Sequence, residues 1–316
     1  MPLWPNTWTP GSVEDRVHRF AVEAGFDAVG FAEAGPVDPE TSENYRVWLD
    51  QGYQAGMDYM ERRVEERLDP RNILPSARSI IVVLSNYYRD NPSQDLNRGK
   101  VARYAGGRDY HRVVGNQLRS LKRRIEEQFP NSENWYSVDA GPILERYWAQ
   151  KSGVGFNGKN TLLINTRMGS WVFIGVMLTS LELKASGAHT DHCGTCTRCL
   201  DACATDAFPQ PGVLDSNKCI SFWTIEHRGD FEEDTGGNLN GWLFGCDDCQ
   251  TVCPWNRHAK QTTHTDYEAR PPFQSPDIKA ISRMTRQEWD EATRGTAIRR
   301  ATYEGLIRNA EALRET

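Results

Sequence analysis

The sequence predicts an α+β chain in three parts: a mixed α/β domain over residues 1–185, a small cysteine-bearing domain over 186–262 and a short helical segment over 263–316. Two observations carry this division. Short apolar runs alternate with helically periodic stretches through the first half, and all eight cysteines fall between Cys193 and Cys253. At 316 residues with 38% hydrophobic content, the chain can bury one large core or two ordinary ones. The N-terminal stretch has no basic segment followed by an unbroken apolar run, and no later stretch approaches about 18 apolar residues, so a cytoplasmic chain without a membrane span is expected. A formal net charge of -6 argues against a general polyanion binder, although a local basic face can still engage RNA.

Each element has its own signature. Ser12, with Asp15 three residues on and Val17, Phe20 and Ala21 on one face, begins an amphipathic helix. FDAVGFA (Phe26 to Ala32) and SIIVVLS (Ser79 to Ser85) read as strands, and Asp109 to Phe129 spaces Val113, Val114, Leu118, Leu121 and Ile125 at helical intervals. NTLLIN and SWVFIGVMLTS are joined by TRMG, which suits a hairpin, so a sheet mixing parallel and antiparallel pairs is expected. All these runs also read as plain core. FEEDTGGNLN (Phe231 to Asn240) reads as a surface loop, and after Pro271 and Pro272 comes a closing helical segment.

The strongest chemical signal is HCGTCTRCLDAC, which places Cys193, Cys196, Cys199 and Cys203 in a CxxCxxCxxxC run. Three thiolates so close in sequence can wrap three corners of an iron–sulfur cubane. In two-cluster ferredoxins the fourth cysteine of such a run serves the other cluster, so a second run should exist. CDDCQTVCP supplies it, with Cys246, Cys249 and Cys253, and Cys219 lies upstream. The crossing rule assigns Cys193, Cys196, Cys199 and Cys253 to one [4Fe–4S] cluster and Cys203, Cys219, Cys246 and Cys249 to the other, in a ferredoxin-like domain. Zinc is the main competing reading, since CxxC pairs are common zinc ligands, but three cysteines crowd one loop here and Pro254 follows Cys253. Disulfides need an oxidising compartment. Ala204 follows Cys203 where the ferredoxin pattern has proline, which weakens the turn and not the ligation.

Two clusters alone do not need the 190 or so residues before them, which lack GxGxxG after a strand and lack a GxxxxGK[ST] loop. Five segments resemble those of the epoxyqueuosine reductase family: ARYAGGRDYHRV (Ala102 to Val114), VDAGPILER (Val138 to Arg146), GVGFNGKNTLLI (Gly153 to Ile164), KCISFWTIEHRG (Lys218 to Gly229) and WLFGCDDCQTVCPWN (Trp242 to Asn256). The resemblance implies an α/β sandwich that holds cobalamin against the cluster domain, and reduction of the epoxide on a modified wobble base of tRNA to a cyclopentene. The clusters would feed electrons singly to cobalt. Asp139, in YSVDAG, matches the family's catalytic aspartate, a general acid whose protonated form is favoured by burial against an apolar corrin face. By the same matching, Arg67, Ala105, Asn160, Leu163, Ile174 and Ser221 resemble cobalamin contacts, although Leu163 and Ile174 would serve equally as strand core.

The resemblance also implies a tRNA carrying epoxyqueuosine as partner; an unidentified reductant and a monomeric chain are expected beside it. Arg294, Arg299, Arg300 and Arg308 are candidate phosphate contacts, yet Glu304, Glu311 and Glu315 stand among them, as on a solvated helix face. Many family members continue into a helical-repeat extension beyond the segment matching GTAIRRATYEGLIRNAEAL, so tRNA contacts made there are expected to differ. Reductive dehalogenases also join a corrinoid to two clusters, and an electron carrier that merely docks a partner is the reading from outside enzymology. Cobalamin content separates the carrier from both enzymes.

Overall fold

A computed structural model describes residues 7–90, 98–231 and 239–315. Helix α1 (Val13–Glu23) starts where Ser12 accepts the Asp15 N–H, as the sequence predicts. Strand β1 (Ala28–Glu33), helices α2 (Pro39–Asp50) and α3 (Val64–Leu68), strand β2 (Ser79–Asn86), the two-residue β3 (Lys100–Val101) and helix α4 (Tyr110–Gln128) follow. Next come β4 (Asn134–Ser137), α5 (Glu145–Lys151), β5 (Phe156–Asn157), β6 (Leu163–Ile164) and β7 (Val172–Thr179).

The main sheet has the order β1-β2-β7-β4, and every neighbouring pair in it is antiparallel. The expected mixture is therefore corrected: the one parallel pairing among the described strands is β3 with β8 (Trp242–Phe244), outside this sheet. The hairpin is corrected too. Asn165 and Gly169 bridge across the turn, but β6 pairs back with β5 while β7 enters the main sheet. Beyond Gly169 the two chains part because β7 hydrogen-bonds on both edges, to β2 and β4, and has no edge left for β6.

β2 is apolar almost throughout because both faces of the sheet are covered. Ile81 and Val83 join Val17, Val114, Leu118, Leu121 and Ile125 under α1 and α4, whereas Ile80, Val82 and Leu84 join Trp148, Ala149 and Val154 under α5. Gly30 is required where β1 meets the end of α5, since a Cβ there would lie 2.1 Å from the Ser152 carbonyl oxygen.

The cysteine region is built from short helices: α6 (Arg198–Asp201), α7 (Ile220–Ile225) and, after β8, α8 (Asp248–Thr251). The expected loop at FEEDTGGNLN falls largely on residues 232–238, outside the described residues. Helices α9 (Ile278–Ile281), α10 (Arg286–Thr293) and α11 (Thr302–Glu315) form the closing segment and bury Trp289, Ile298 and Leu306 with Leu243 and Phe244 of β8. Buried Asn309 donates to the carbonyls of Thr224 (2.9 Å) and Leu243 (3.0 Å), tying α11 to the cysteine region. No described helix is long and apolar enough to cross a membrane.

Candidate functional site

β4 delivers Asp139 just beyond the sheet edge. The residue takes the left-handed conformation, φ 56°, which costs about 1 kcal/mol for a non-glycine residue. Three contacts offset that cost. The Asp139 N–H donates to Glu145 Oε1 at 2.7 Å, the Tyr110 hydroxyl donates to Asp139 Oδ2, and His111 Nε2 lies 3.7 Å from the same oxygen. Gly141 completes the turn, since a Cβ there would lie 2.5 Å from Ser137 Oγ. The Asp139 side chain is 60% exposed, so the fold itself does not supply the burial expected for it.

Tyr110 is fixed by stacking on Phe173 of β7, with ring centroids 4.5 Å apart and planes 3° from parallel. Burial and the Asp139 charge push its hydroxyl far above the ordinary range, so it acts as a donor. Burial, together with the charge of Asp139, pushes Glu145 up to about 8 against the lowering effect of the Asp139 N–H and of Arg146 and Arg67. For His111, burial alone would lower the pKa, but the hydrogen bond and charge of Asp109 and the charge of Asp139 outweigh it and leave a net rise. The sequence reading missed Tyr110, His111 and Glu145 as functional residues. All three lie inside the segments RYAGGRDYH and VDAGPILER, but only folding brings them together.

Of the other predicted contacts, Arg67 joins this group: it is buried at the end of α3, and its guanidinium donates to the carbonyls of Tyr59 (3.0 Å) and Gly141 (3.5 Å). Its Nε is buried without a partner. Ile174 is the one residue of β7 that is not fully buried. An orphaned guanidinium nitrogen and an opened strand residue beside an exposed carboxylate fit a further large group at this place. Asn160 donates to the Cys249 carbonyl at 3.4 Å, and its neighbour Thr161 accepts from Arg146, linking the Asp139 turn to a cysteine loop. Ser221 is half-buried in the first turn of α7, two residues after Cys219. Ala105 and Leu163 are enclosed by protein, backbone included, so neither is open to a ligand in this structure.

The eight thiols sort into two neighbourhoods according to whose charge opposes whose ionisation. Cys193, Cys196, Cys199 and Cys253 form one; Cys203, Cys219, Cys246 and Cys249 form the other, with Cys199 felt by Cys249 between them. Burial raises the thiols of Cys246 and Cys249 well above the ordinary range, followed by the charge of Asp248 for Cys246 and of Cys219 for Cys249, a cost that bound iron would remove. Buried Asp247 binds this region to the sandwich, accepting the Arg103 N–H at 2.9 Å and its guanidinium at 3.2 Å.

The four closing arginines are engaged within the fold. Arg294 and Arg299 pair with Asp290, Arg300 pairs with Glu226, and Arg308 donates to the carbonyls of Trp223, His227 and Gly229.

Comparison with known proteins agrees with this arrangement. Residues 192–256 match the 4Fe-4S double cluster binding domain, so the eight cysteines lie in a region built for two [4Fe–4S] clusters, and residues 67–140 match the domain described as epoxyqueuosine reductase QueG, DUF1730. A crystal structure of an epoxyqueuosine reductase with an epoxyqueuosine-modified tyrosine tRNA stem loop superposes with a TM-score of 0.89 at 29% identity, covering 95% of this chain and 80% of that one. A Bacillus subtilis epoxyqueuosine reductase, described with its catalytic aspartate loop swung out of the active site, gives 0.88 at 28% over the same shares. A catabolic reductive dehalogenase shares the fold alone, with a TM-score of 0.50 at 13% identity over 98% of this chain and 37% of that one. The epoxyqueuosine reductase of Synechocystis sp. is 42% identical over 276 residues, 86% of this chain and 95% of that protein, and this chain belongs to the epoxyqueuosine reductase family.

Proposed function

We propose that this chain reduces the epoxide of epoxyqueuosine in tRNA to the cyclopentene of queuosine, in the cytoplasm, with Asp139 as general acid. The observation that carries the reading is the placement of Asp139: an exposed carboxylate held by Tyr110 and Glu145, one short chain of contacts away from the Cys249 loop. Cysteines 193, 196, 199 and 253 hold one cluster and cysteines 203, 219, 246 and 249 the other, which the two thiol neighbourhoods support. Cobalamin, the cofactor the family resemblance implies, would be held by Ile174 and Ser221, which are partly open, and by Arg67; Ala105, Asn160 and Leu163, which the resemblance also names, are enclosed by protein and support those residues from behind. When bound, that group would supply electrons to the epoxide.

The chain's own residues do the rest. Tyr110 and His111 both face Asp139 Oδ2, and the carboxyl is 60% exposed, so it can take up a proton there and present it toward the departing epoxide oxygen. Arg67 and Glu145 brace the turn from beneath through Gly141 O and the Asp139 N–H. Anaerobic purification with added cobalamin, metal analysis and turnover of an epoxyqueuosine-bearing stem loop test the reading. About eight iron and one cobalt per chain are expected. Asp139→Asn should keep both metals and lose turnover; full turnover by that variant rejects the general-acid role, and iron without cobalt leaves an electron carrier.

A further inference from the structure

Loss of an epoxide oxygen as water consumes two electrons and two protons, whereas a carboxyl group delivers one proton at a time. Asp139 must therefore be reloaded, and the residues around it include a group suited to the task. We propose that His111, oriented by Asp109, relays solvent protons to Asp139. The inference rests on the general-acid reading of Asp139 given above.

Asp109 caps α4: its Oδ1 accepts the His111 N–H at 3.0 Å and lies 2.8 Å from His111 Nδ1. That contact keeps the Nδ1 proton on the ring and leaves Nε2 as the exchanging nitrogen. Nε2 points to Asp139 Oδ2 across 3.7 Å, a gap that a small rotation of the exposed Asp139 side chain or one bridging water closes. The ring stacks on Tyr110 with centroids 4.1 Å apart, and Tyr110 grips the same Oδ2, so donor and acceptor are held by one side chain. His111 remains 42% exposed, which gives it access to water.

In the relay step the Nε2–H bond breaks and an Oδ2–H bond forms, giving neutral imidazole and a carboxylic acid. The Nδ1 proton stays on the ring, hydrogen-bonded to Asp109, and a solvent proton then restores Nε2–H. No electrons move. The charged and titratable groups facing the ring are Asp109 at the cap, Tyr110 in the first turn of α4, Asp139 from the turn after β4 and Arg300 from the turn before α11. The two carboxylates outweigh burial and Arg300, so the imidazolium survives to higher pH than an ordinary histidine's.

The test uses the cluster- and cobalamin-loaded protein with an epoxyqueuosine stem loop. His111→Ala should lower kcat about 10- to 100-fold with KM little changed, flatten the imidazole limb of the kcat–pH profile, and recover rate on addition of imidazole. Asp109→Asn should lower kcat in the same direction. A second readout is independent of turnover: histidine-labelled NMR titration of cluster-loaded protein, with His111 identified by His111→Gln, should show its pKa fall in Asp139→Asn. Wild-type kcat and pH profile in His111→Ala would overturn the relay, as would a loss without imidazole rescue or an unmoved His111 titration. An active Asp139→Asn would instead reject the general-acid reading beneath it, and an inactive Asp139→Asn beside a fully active His111→Ala would reject the relay alone.

Discussion

Glu145 is the support whose removal the structure lets us size. Glu145→Ala deletes the acceptor of the Asp139 N–H, a 2.7 Å bond, while the left-handed strain at φ 56° remains. A neutral hydrogen bond is worth about 1 kcal/mol net, and the strain it offsets costs about another 1 kcal/mol. The strain is the same with and without Glu145 and cancels, so only the lost bond shifts the balance between the seated and released turn, by about 0.5–1.5 kcal/mol, a factor of about 2 to 13. If only the seated turn is competent, kcat on a modified stem loop should fall by that factor with cluster content unchanged. Glu145→Gln keeps an acceptor oxygen and should lose far less. Glu145→Ala with undiminished kcat and intact clusters would refute the reasoning. The same residue has a pH signature. Its folded pKa is raised from 4.5 to about 8, so its stabilising contribution is fully present below 4.5 and is lost as pH rises through 8. Wild-type protein should therefore lose thermal stability relative to Glu145→Gln across that window.

Two further substitutions test the frame around the site. Asp247→Ala should cost about 3–5 kcal/mol by denaturant melting, because it strips the Arg103 guanidinium and N–H of their buried acceptor; Asp247→Asn, which can still accept the N–H, should cost less. Gly30→Ala should cost at least about 1–3 kcal/mol, since its Cβ would meet the Ser152 backbone oxygen at 2.1 Å, and a stability equal to wild type would show that α5 can move away from β1.

What could be read from the sequence, and what could not, follows from the range of the interactions concerned. Helices α1 and α4 were legible because a helix turns its buried side chains to one face every three or four residues, and Ser12 fixes the first of them by a bond within its own turn. The cysteine runs were legible for the same reason, since three ligands of a cubane can come from one loop. Sheet order was not. An apolar strand buried on both faces carries no mark of which edge meets which neighbour, so β7 read as half of a hairpin when it is the centre of an antiparallel sheet. Asp139 was found only through family resemblance, and its partners Tyr110, His111 and Glu145 were not found at all. Tyr110 reaches Asp139 across 29 residues of chain and Glu145 across 6, with the contact made only when β4 pairs with β7 and Phe173 of β7 receives the Tyr110 ring. The chemistry of the site thus depends on a sheet pairing for which the sequence holds no local signal, and a substitution at Phe173, which touches no reacting atom, should disturb Asp139 through Tyr110.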